Sequence, residues 1–295
     1  MPKFMKIEDL ALTFVPNLTP EATAALIAEF GDAQAVYAAT SQALVARVGL
    51  REDIARAIEA KVGIDAARKE IDSCKRGNIE IVAAVDSDYP NRLLYTHDYP
   101  HIIYMVGARE IVDCTMLCAF IGDDNNCSSY GSKMAVQLME QMAELAPEVV
   151  VVGSLSSFMD RLVLRYAHIN GLRTIGVTKY PLGQIPQDDG YYIAREILES
   201  GGALVSAVGV MSMVQGEPDS FRERLVAGLS DGVVVIEAAE IPSVAHYADS
   251  YGRCLMALPG RVTDIYSRGA NRMIANSMAA MVYSAKDIVK QLDTE

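Results

Sequence analysis

From residue 79 onward the chain repeats one alternation: a short apolar run, a loop of small residues, then a segment with helical spacing. The runs are IEIVAAV (79–85), IIYMVG (102–107), MLCAFIG (116–122), VVVVG (149–153), RTIGVT (173–178), ALVSA (203–207), GVVVIEA (232–238) and RCLMALPG (253–260). They are nearly continuous rather than alternating, so each must be buried on both faces. Between most of them lie amphipathic segments such as GSKMAVQLMEQMAELA and DGYYIAREILESGG. Strands of this kind, separated by helices, require a parallel sheet covered on both sides. MLCAFIG and VVVVG end in glycine just where a helix is due to begin. The expected fold class is therefore α/β: a Rossmann-like, doubly wound, mostly parallel sheet over residues 76–295.

The first 75 residues have a different texture. TPEATAALIAEFG carries an N-cap at Thr19 and a proline at the first helical position, and AQAVYAA, SQALVARV and REDIARAIEAKV follow, with loops at Gly31 and Gly49. These predict a small, separate, helix-hairpin-like (SAM-like) domain over residues 1–75.

Charge and cysteine content exclude several functions. The formal net charge is −12, of which residues 1–160 carry −10 and residues 161–295 only −2. Non-specific nucleic-acid affinity comes from attraction to phosphate, so any DNA site has to be a local patch in the second half. The five cysteines form no CxxC pair and the four histidines are scattered, which gives no metal centre. No apolar run approaches the roughly 18 residues of a membrane span, and MPKFMKIEDL lacks the core of a secretory signal. The expectation is a cytoplasmic protein with no membrane contact and no cofactor.

In a doubly wound sheet, ligands sit at the carboxyl ends of the strands, where helix N-termini offer free N–H groups. The candidate loops are GDDNNCSSYG (122–131), GSLSSFMD (153–160), the stretch before FRER (221–224) and PGRVTDIYSRGAN (259–271). Their phosphate- or ligand-binding candidates are Gly122, Ser128, Ser129, Gly153, Ser154, Ser157 and Gly269. No GxGxxG and no GxxxxGK[ST] is present, which argues against an ordinary dinucleotide or P-loop site. Asp160 and Glu237 are the best-placed carboxylates, but neither has a histidine or lysine partner in sequence, and Glu237 could pair with Arg253. An enzymatic reading is the weakest. Ser128 and Ser154 could equally be helix caps, Asn271 a turn brace and Phe221 a core residue.

The order of the motifs resembles the DNA-processing protein A (DprA, or Smf) family. DYPNRLLYTHDYPHIIYMVG (88–107) is similar to its YP-x-x-L…D-x-P-x-x-L-y-x-x-G lead-in through Tyr89, Pro90, Leu93, Asp98, Pro100, Tyr104 and Gly107. Tyr130-Gly131, Asp160 and RYAHINGLRTIGV follow in order. Arg222, Arg224, Ala227, Gly228, Leu229 and Ser230 match the family's R-N-R-I-I-A-G-L-S. VIEA, Gly252-Arg253, Pro259-Gly260 and Ser267-x-Gly269-x-Asn271 complete the series. The resemblance covers about residues 8–292. It implies a homodimeric protein that binds single-stranded DNA and helps to load RecA in recombination, DNA uptake and natural transformation, without catalysis. It also implies that Phe221, Arg222, Arg224, Arg268, Asn271 and Arg272 contact the nucleic acid.

The departures from the family are concentrated in basic positions. The arginine of its first loop falls on Asp124 or Asn125, and that of its second on Ser157. The histidine four residues past the aspartate is Leu164, S-E-Y-P has become SAVG, and the central asparagine of the arginine motif is Glu223. No counterpart of the winged-helix tail found in many members follows. Lost phosphate contacts leave two other readings open: a binder of a nucleotide or phosphorylated metabolite over the serine loops, or an interaction subunit without ligand. Two geometric expectations follow. Gly122, Ser128, Gly153, Ser154 and Asn271 should line one cleft. Arg222 should lie in a loop or first turn, with Arg224 exposed and directed at the cleft and no carboxylate holding both.

Overall fold

The structure, a computed structural model, describes residues 5–124, 127–211 and 218–293. Six helices come first: α1 (Ile7–Leu12), α2 (Pro20–Phe30), α3 (Ala33–Ala38), α4 (Ser41–Val48), α5 (Glu52–Glu59) and α6 (Ile64–Arg76). The Thr19 hydroxyl accepts the Ala22 N–H at 3.2 Å to cap α2, and Gly31 closes that helix at φ 94°. Asp32 and Thr40 cap α3 and α4 in the same way.

The second part runs β1 (Glu80–Ala83), α7 (Asn91–Leu94), β2 (Ile102–Gly107), β3 (Leu117–Gly122), α8 (Ser129–Leu145), β4 (Val150–Ser154), α9 (Phe158–Ile169) and β5 (Arg173–Val177). It continues with α10 (Asp189–Glu199), β6 (Ala203–Ser206), α11 (Pro218–Leu229), β7 (Gly232–Glu237), α12 (Ser243–Ser250), β8 (Cys254–Ala257), α13 (Arg268–Ala275), β9 (Ala280–Met281) and α14 (Ala285–Leu292). The strands form a nine-stranded sheet in the order β1-β2-β6-β5-β4-β3-β7-β8-β9. Seven strands from β6 to β9 are parallel, while β2 runs antiparallel to both of its neighbours. The α/β, Rossmann-like, mostly parallel architecture is therefore the one the apolar runs demand. Every residue of β3 and β7 is buried, because both lie at the centre of the sheet.

Chain order leaves β3 in one direction through β4, β5 and β6, then returns to its other side with β7 and β8. The crossover helices change face accordingly. Helices α8, α9, α10 and α14 pack on one face, together with α1 to α6, and α11, α12 and α13 pack on the other. The reversal between β3 and β7 is the topological switch point, where a crevice opens in such sheets.

The helical N-terminal part shares its apolar core with the first face of the sheet: Leu10, Leu26, Leu44 and Ile58 belong to one cluster with Tyr104, Met139 and Leu182. A polar tie supplements it. Glu70, fully buried on α6, accepts the backbone N–H groups of Val210 and Met211, both at 2.6 Å. His101, whose sequence neighbourhood offered no metal partner, sits 3.4 Å from Asp9 of α1. No helix among the described residues is long and apolar enough to cross a membrane.

Arg92 and Gly107, both within the 88–107 segment, help to hold the base of the sheet. Arg92 binds both oxygens of Asp231 at 2.6 and 2.8 Å and donates to the Cys114 carbonyl. Asp231 in turn accepts the Leu117 N–H at 2.8 Å, which fixes the start of β3 beside the start of β7. At the end of β2, Gly107 has φ 104° and lies against the Gly202 carbonyl, where a Cβ would collide.

Candidate functional site

The switch-point cleft opens above Gly122 and Ala238. Its polar lining is Asp123, Asp124, Ser154, Asp160, Arg222, Glu223, Glu240 and Ser243: five carboxylates, one guanidinium and two hydroxyls. The strand–helix loops that make it are closed by their own side chains. In the second loop the Ser154 hydroxyl accepts the N–H groups of Ser156 and Ser157 at 3.0 and 3.4 Å. The Asp160 carboxylate accepts the Ser154 N–H at 2.9 Å and the Ser157 hydroxyl at 2.8 Å. Burial pushes the Asp160 carboxyl up to about 6; the hydrogen bonds from Ser154 and Ser157 and the Arg222 charge oppose this only in part, while Asp124 adds to it.

In the first loop the carboxylate comes from across the switch point. Glu237, the last residue of β7, accepts the Ser128 N–H at 2.8 Å and the Ser128 hydroxyl at 2.7 Å. The same hydroxyl accepts the N–H groups of Tyr130 and Gly131 at the first turn of α8. A Cβ at Gly131 would collide with Glu237 Oε2, so only glycine lets the carboxylate sit this close. The N–H groups that a phosphate would use at these helix N-termini are thus filled by groups of the chain itself. Glu237 does not pair with Arg253, which donates instead to the carbonyls of Arg92 and Gly228.

Two expectations about the arginines are overturned. α11 is already regular from Pro218, so Arg222 lies neither in a loop nor in the first turn. Residues two apart on a regular helix point about 200° away from each other, so only one of the pair can face the cleft. That residue is Arg222, not Arg224. Arg222 is 3% exposed. It donates to Ser154 Oγ at 2.9 Å and pairs with Glu223 at 3.0 Å, Asp219 at 3.5 Å and Asp124 at 3.6 Å. Burial is the main cause that raises the Glu223 carboxyl above its ordinary range, against the pull of Arg222. Arg224 faces α12: it lies 3.2 Å from Asp98 and over the ring of Tyr247. Both arginines are therefore held by carboxylates, contrary to the expectation of free cations.

The five residues expected in one cleft divide differently. Gly122 and Ser154 line it. Ser128 and Ser129 line a second depression with Tyr130, Gly260 and Arg261. Gly153 is buried in β4 under Leu164, and Ser157 is buried as the α9 cap. Asn271 lines neither depression; its amide clamps the N–H and carbonyl of Gly260, both at 3.0 Å. Gly269 lets α13 approach the end of β7 and donates its N–H to the Ala238 carbonyl at 2.8 Å. Phe221 is half-buried and outside the cleft lining, Arg268 is exposed, and exposed Arg272 stands 3.5 Å from Glu240. Asn125, one of the two positions facing the family's lost arginine, lies outside the described residues.

A family model described as DNA recombination-mediator protein A matches residues 80–293. The chain belongs to that family. It is 30% identical to protein Smf of Escherichia coli over 235 residues, 76% of this chain and 61% of Smf. It is 24% identical to DNA processing protein DprA of Bacillus subtilis over 72% of this chain and 71% of the relative. The chain thus spans about three fifths of the length of Smf. Among solved structures, DprA of Streptococcus pneumoniae superposes with a TM-score of 0.81 at 19% identity, covering 98% of both chains. DprA of Helicobacter pylori, studied for its single-stranded DNA binding mode, gives 0.62 at 22% identity over 73% of this chain and 96% of its own. These two likenesses establish the shared fold, including, for the first, the helical N-terminal part.

Sequence reasoning missed Glu237 as the acceptor that holds Ser128, because the two lie 109 residues apart. It also passed over Phe158, Arg161 and Arg165, whose i, i+3, i+7 spacing placed them on one face of α9.

Proposed function

We propose that this member of the family binds single-stranded DNA and serves DNA processing in recombination and transformation, as a mediator rather than an enzyme. In this reading it acts as a homodimer and has RecA as a partner. The observation that carries the choice is the state of the two helix N-termini beside the switch point. Ser128, held by Glu237, fills that of α8, and the Ser157 hydroxyl with the Asp124 carbonyl fills that of α9. A phosphorylated metabolite would have to displace a built-in carboxylate, whereas a polymer can bind across the surface of the carboxyl edge. Family membership points to the same class of ligand.

The charges support one choice of binding residues over another. Arg222 is buried among three carboxylates and Arg224 is held by Asp98, so neither is free to neutralise phosphate. Phosphate contact falls to exposed Arg261, Arg268 and Arg272, with half-buried Phe221 as an adjunct. The test is anisotropy of a labelled oligonucleotide titrated at several salt concentrations. Weak binding is expected, strongest at low salt, and the Arg268→Ala, Arg272→Ala double variant should lower the salt slope by about 1–2 units. No binding by the unaltered protein at low salt refutes the reading.

A further inference from the structure

Helices α9 and α10 leave between them an open groove of about 450 Å³, outside the switch-point cleft. Two aromatic rings border it, Phe158 at 39% exposure and Tyr192 at 59%. Two arginines line its α9 side. Arg161 is fixed by donation to the carbonyls of Leu155 and Ser156, at 3.3 and 3.0 Å, and Arg165 is exposed with no ion pair among the described residues. On the α10 side lie Asp189 and Glu196. Glu196 keeps one oxygen, Oε2, buried and without a hydrogen-bond donor among the described residues.

We propose that this groove holds one base of single-stranded DNA, stacked on Tyr192, with an amino group of its edge donating to the carboxylate of Glu196, which lines the groove. The inference rests on the single-stranded DNA reading above and extends it to a second site. Each part has a physical reason. Exposed aromatic rings beside arginines are the combination that binds unpaired bases, because every base has a face to stack and a neighbouring phosphate to neutralise. Asp189 and Glu196 repel phosphate, so the backbone runs over Arg161 and Arg165 on the α9 side and the base turns toward α10. A carboxylate accepts from the N4 amine of cytosine. Thymine presents O4, an acceptor, at the same place, and its N3–H lies between two carbonyls. The groove therefore discriminates in favour of cytosine over thymine.

The groove also lies on a continuous track. Arg161 lines the neighbouring depression together with Lys179 and Tyr180. Lys179 binds Asp219 at 2.9 Å, and Asp219 contacts Arg222 of the cleft. A strand crossing the carboxyl edge of the sheet passes from one to the other.

The experiment compares 20-nucleotide oligodeoxycytidine and oligothymidine at pH 7.5 and low salt, by anisotropy, on the full chain. The unaltered protein should bind oligodeoxycytidine several-fold more tightly. Tyr192→Ala should weaken that binding roughly tenfold, and Glu196→Ala should remove the difference between the two oligomers. The core face of α10 is Ile193, Ala194 and Ile197, so a change at exposed Tyr192 leaves the helix packed. An oligodeoxycytidine carrying one 5-iodocytosine should crosslink to Tyr192 on irradiation. Equal affinity for both oligomers, unchanged binding by Tyr192→Ala, or crosslinks confined to other residues overturns the groove while leaving the DNA-binding reading intact. Failure of the unaltered protein to bind either oligomer overturns both.

Discussion

Asp160→Asn is the substitution whose effect can be worked out most fully. The Asp160 carboxyl is buried beneath the cleft and titrates at about 6 in place of 3.8. The folded state therefore holds this proton more tightly than the unfolded chain does. Below about pH 4 both states are protonated and the group has no net effect. As pH rises from about 4 to about 6 the unfolded chain ionises first, so stability falls, by about 1.4 kcal/mol per pH unit. Above about 6 both states are ionised and the full penalty, about 3 kcal/mol, is present. An asparagine of the same shape keeps the geometry: its carbonyl oxygen accepts the Ser154 N–H and its amide donates to the Ser157 hydroxyl. Replacing charge-assisted bonds by neutral ones costs about 1 kcal/mol of the gain. The variant should accordingly be more stable than the unaltered protein by about 2 kcal/mol at pH 8, and the advantage should vanish near pH 4.5. Urea unfolding followed by circular dichroism at half-unit pH intervals measures the difference directly. A difference that stays constant between pH 4.5 and 8 would show that burial does not raise the Asp160 carboxyl, and the account of the cleft electrostatics would fail with it.

Two further outcomes test the anchoring side chains. Glu237→Ala should lower the melting temperature and create an anion site at the α8 N-terminus, so that sulfate stabilises the variant more than it stabilises the unaltered protein at matched ionic strength; an identical response refutes the capping role. Glu70→Ala leaves the N–H groups of Val210 and Met211 without their acceptor and should cost about 2–4 kcal/mol, with faster proteolytic cleavage near residue 210; a loss below about 0.5 kcal/mol, or an unchanged cleavage pattern, rules out the tie.

The sheet was legible in the sequence because burial on both faces leaves a local signature, and nearly all of the strands coincide with continuous apolar runs. The helix caps at Thr19 and Ser128 were legible for the same reason: cap and capped groups lie within three residues. Helix α6 was not, because its buried face is Ala67, Glu70 and Cys74, and a buried carboxylate interrupts the apolar stripe. β9 escaped because a two-residue edge strand has no periodicity. The orientation of FRER was open until the start of α11 was known, since the same two arginines could share a face in a loop but not in a helix. What turned Arg222 from a free cation into a buried, neutralised one was tertiary: Asp124 and Ser154 reach it from loops about 100 and 70 residues away in sequence, a separation that no local pattern encodes.

The carboxylates that give the switch-point crevice its charge are also parts of its framework. Glu237 closes α8 and dictates glycine at 131, and Asp160 ties Ser154 to the first turn of α9. A lineage drifting toward a basic crevice could not replace either acid singly by a residue that brings no hydrogen-bond acceptor to the same place. Loss of Glu237 alone frees Ser128, the cap of a seventeen-residue helix, from its acceptor, and loss of Asp160 alone leaves the Ser154 N–H without its acceptor. Arginine could return to the first loop only while other carboxylates remained beside Arg222 to neutralise both guanidinium groups, or the two would repel each other. The order of substitutions is thus constrained by stability before it is constrained by affinity, and intermediate sequences would be selected against for folding poorly, whatever they bound.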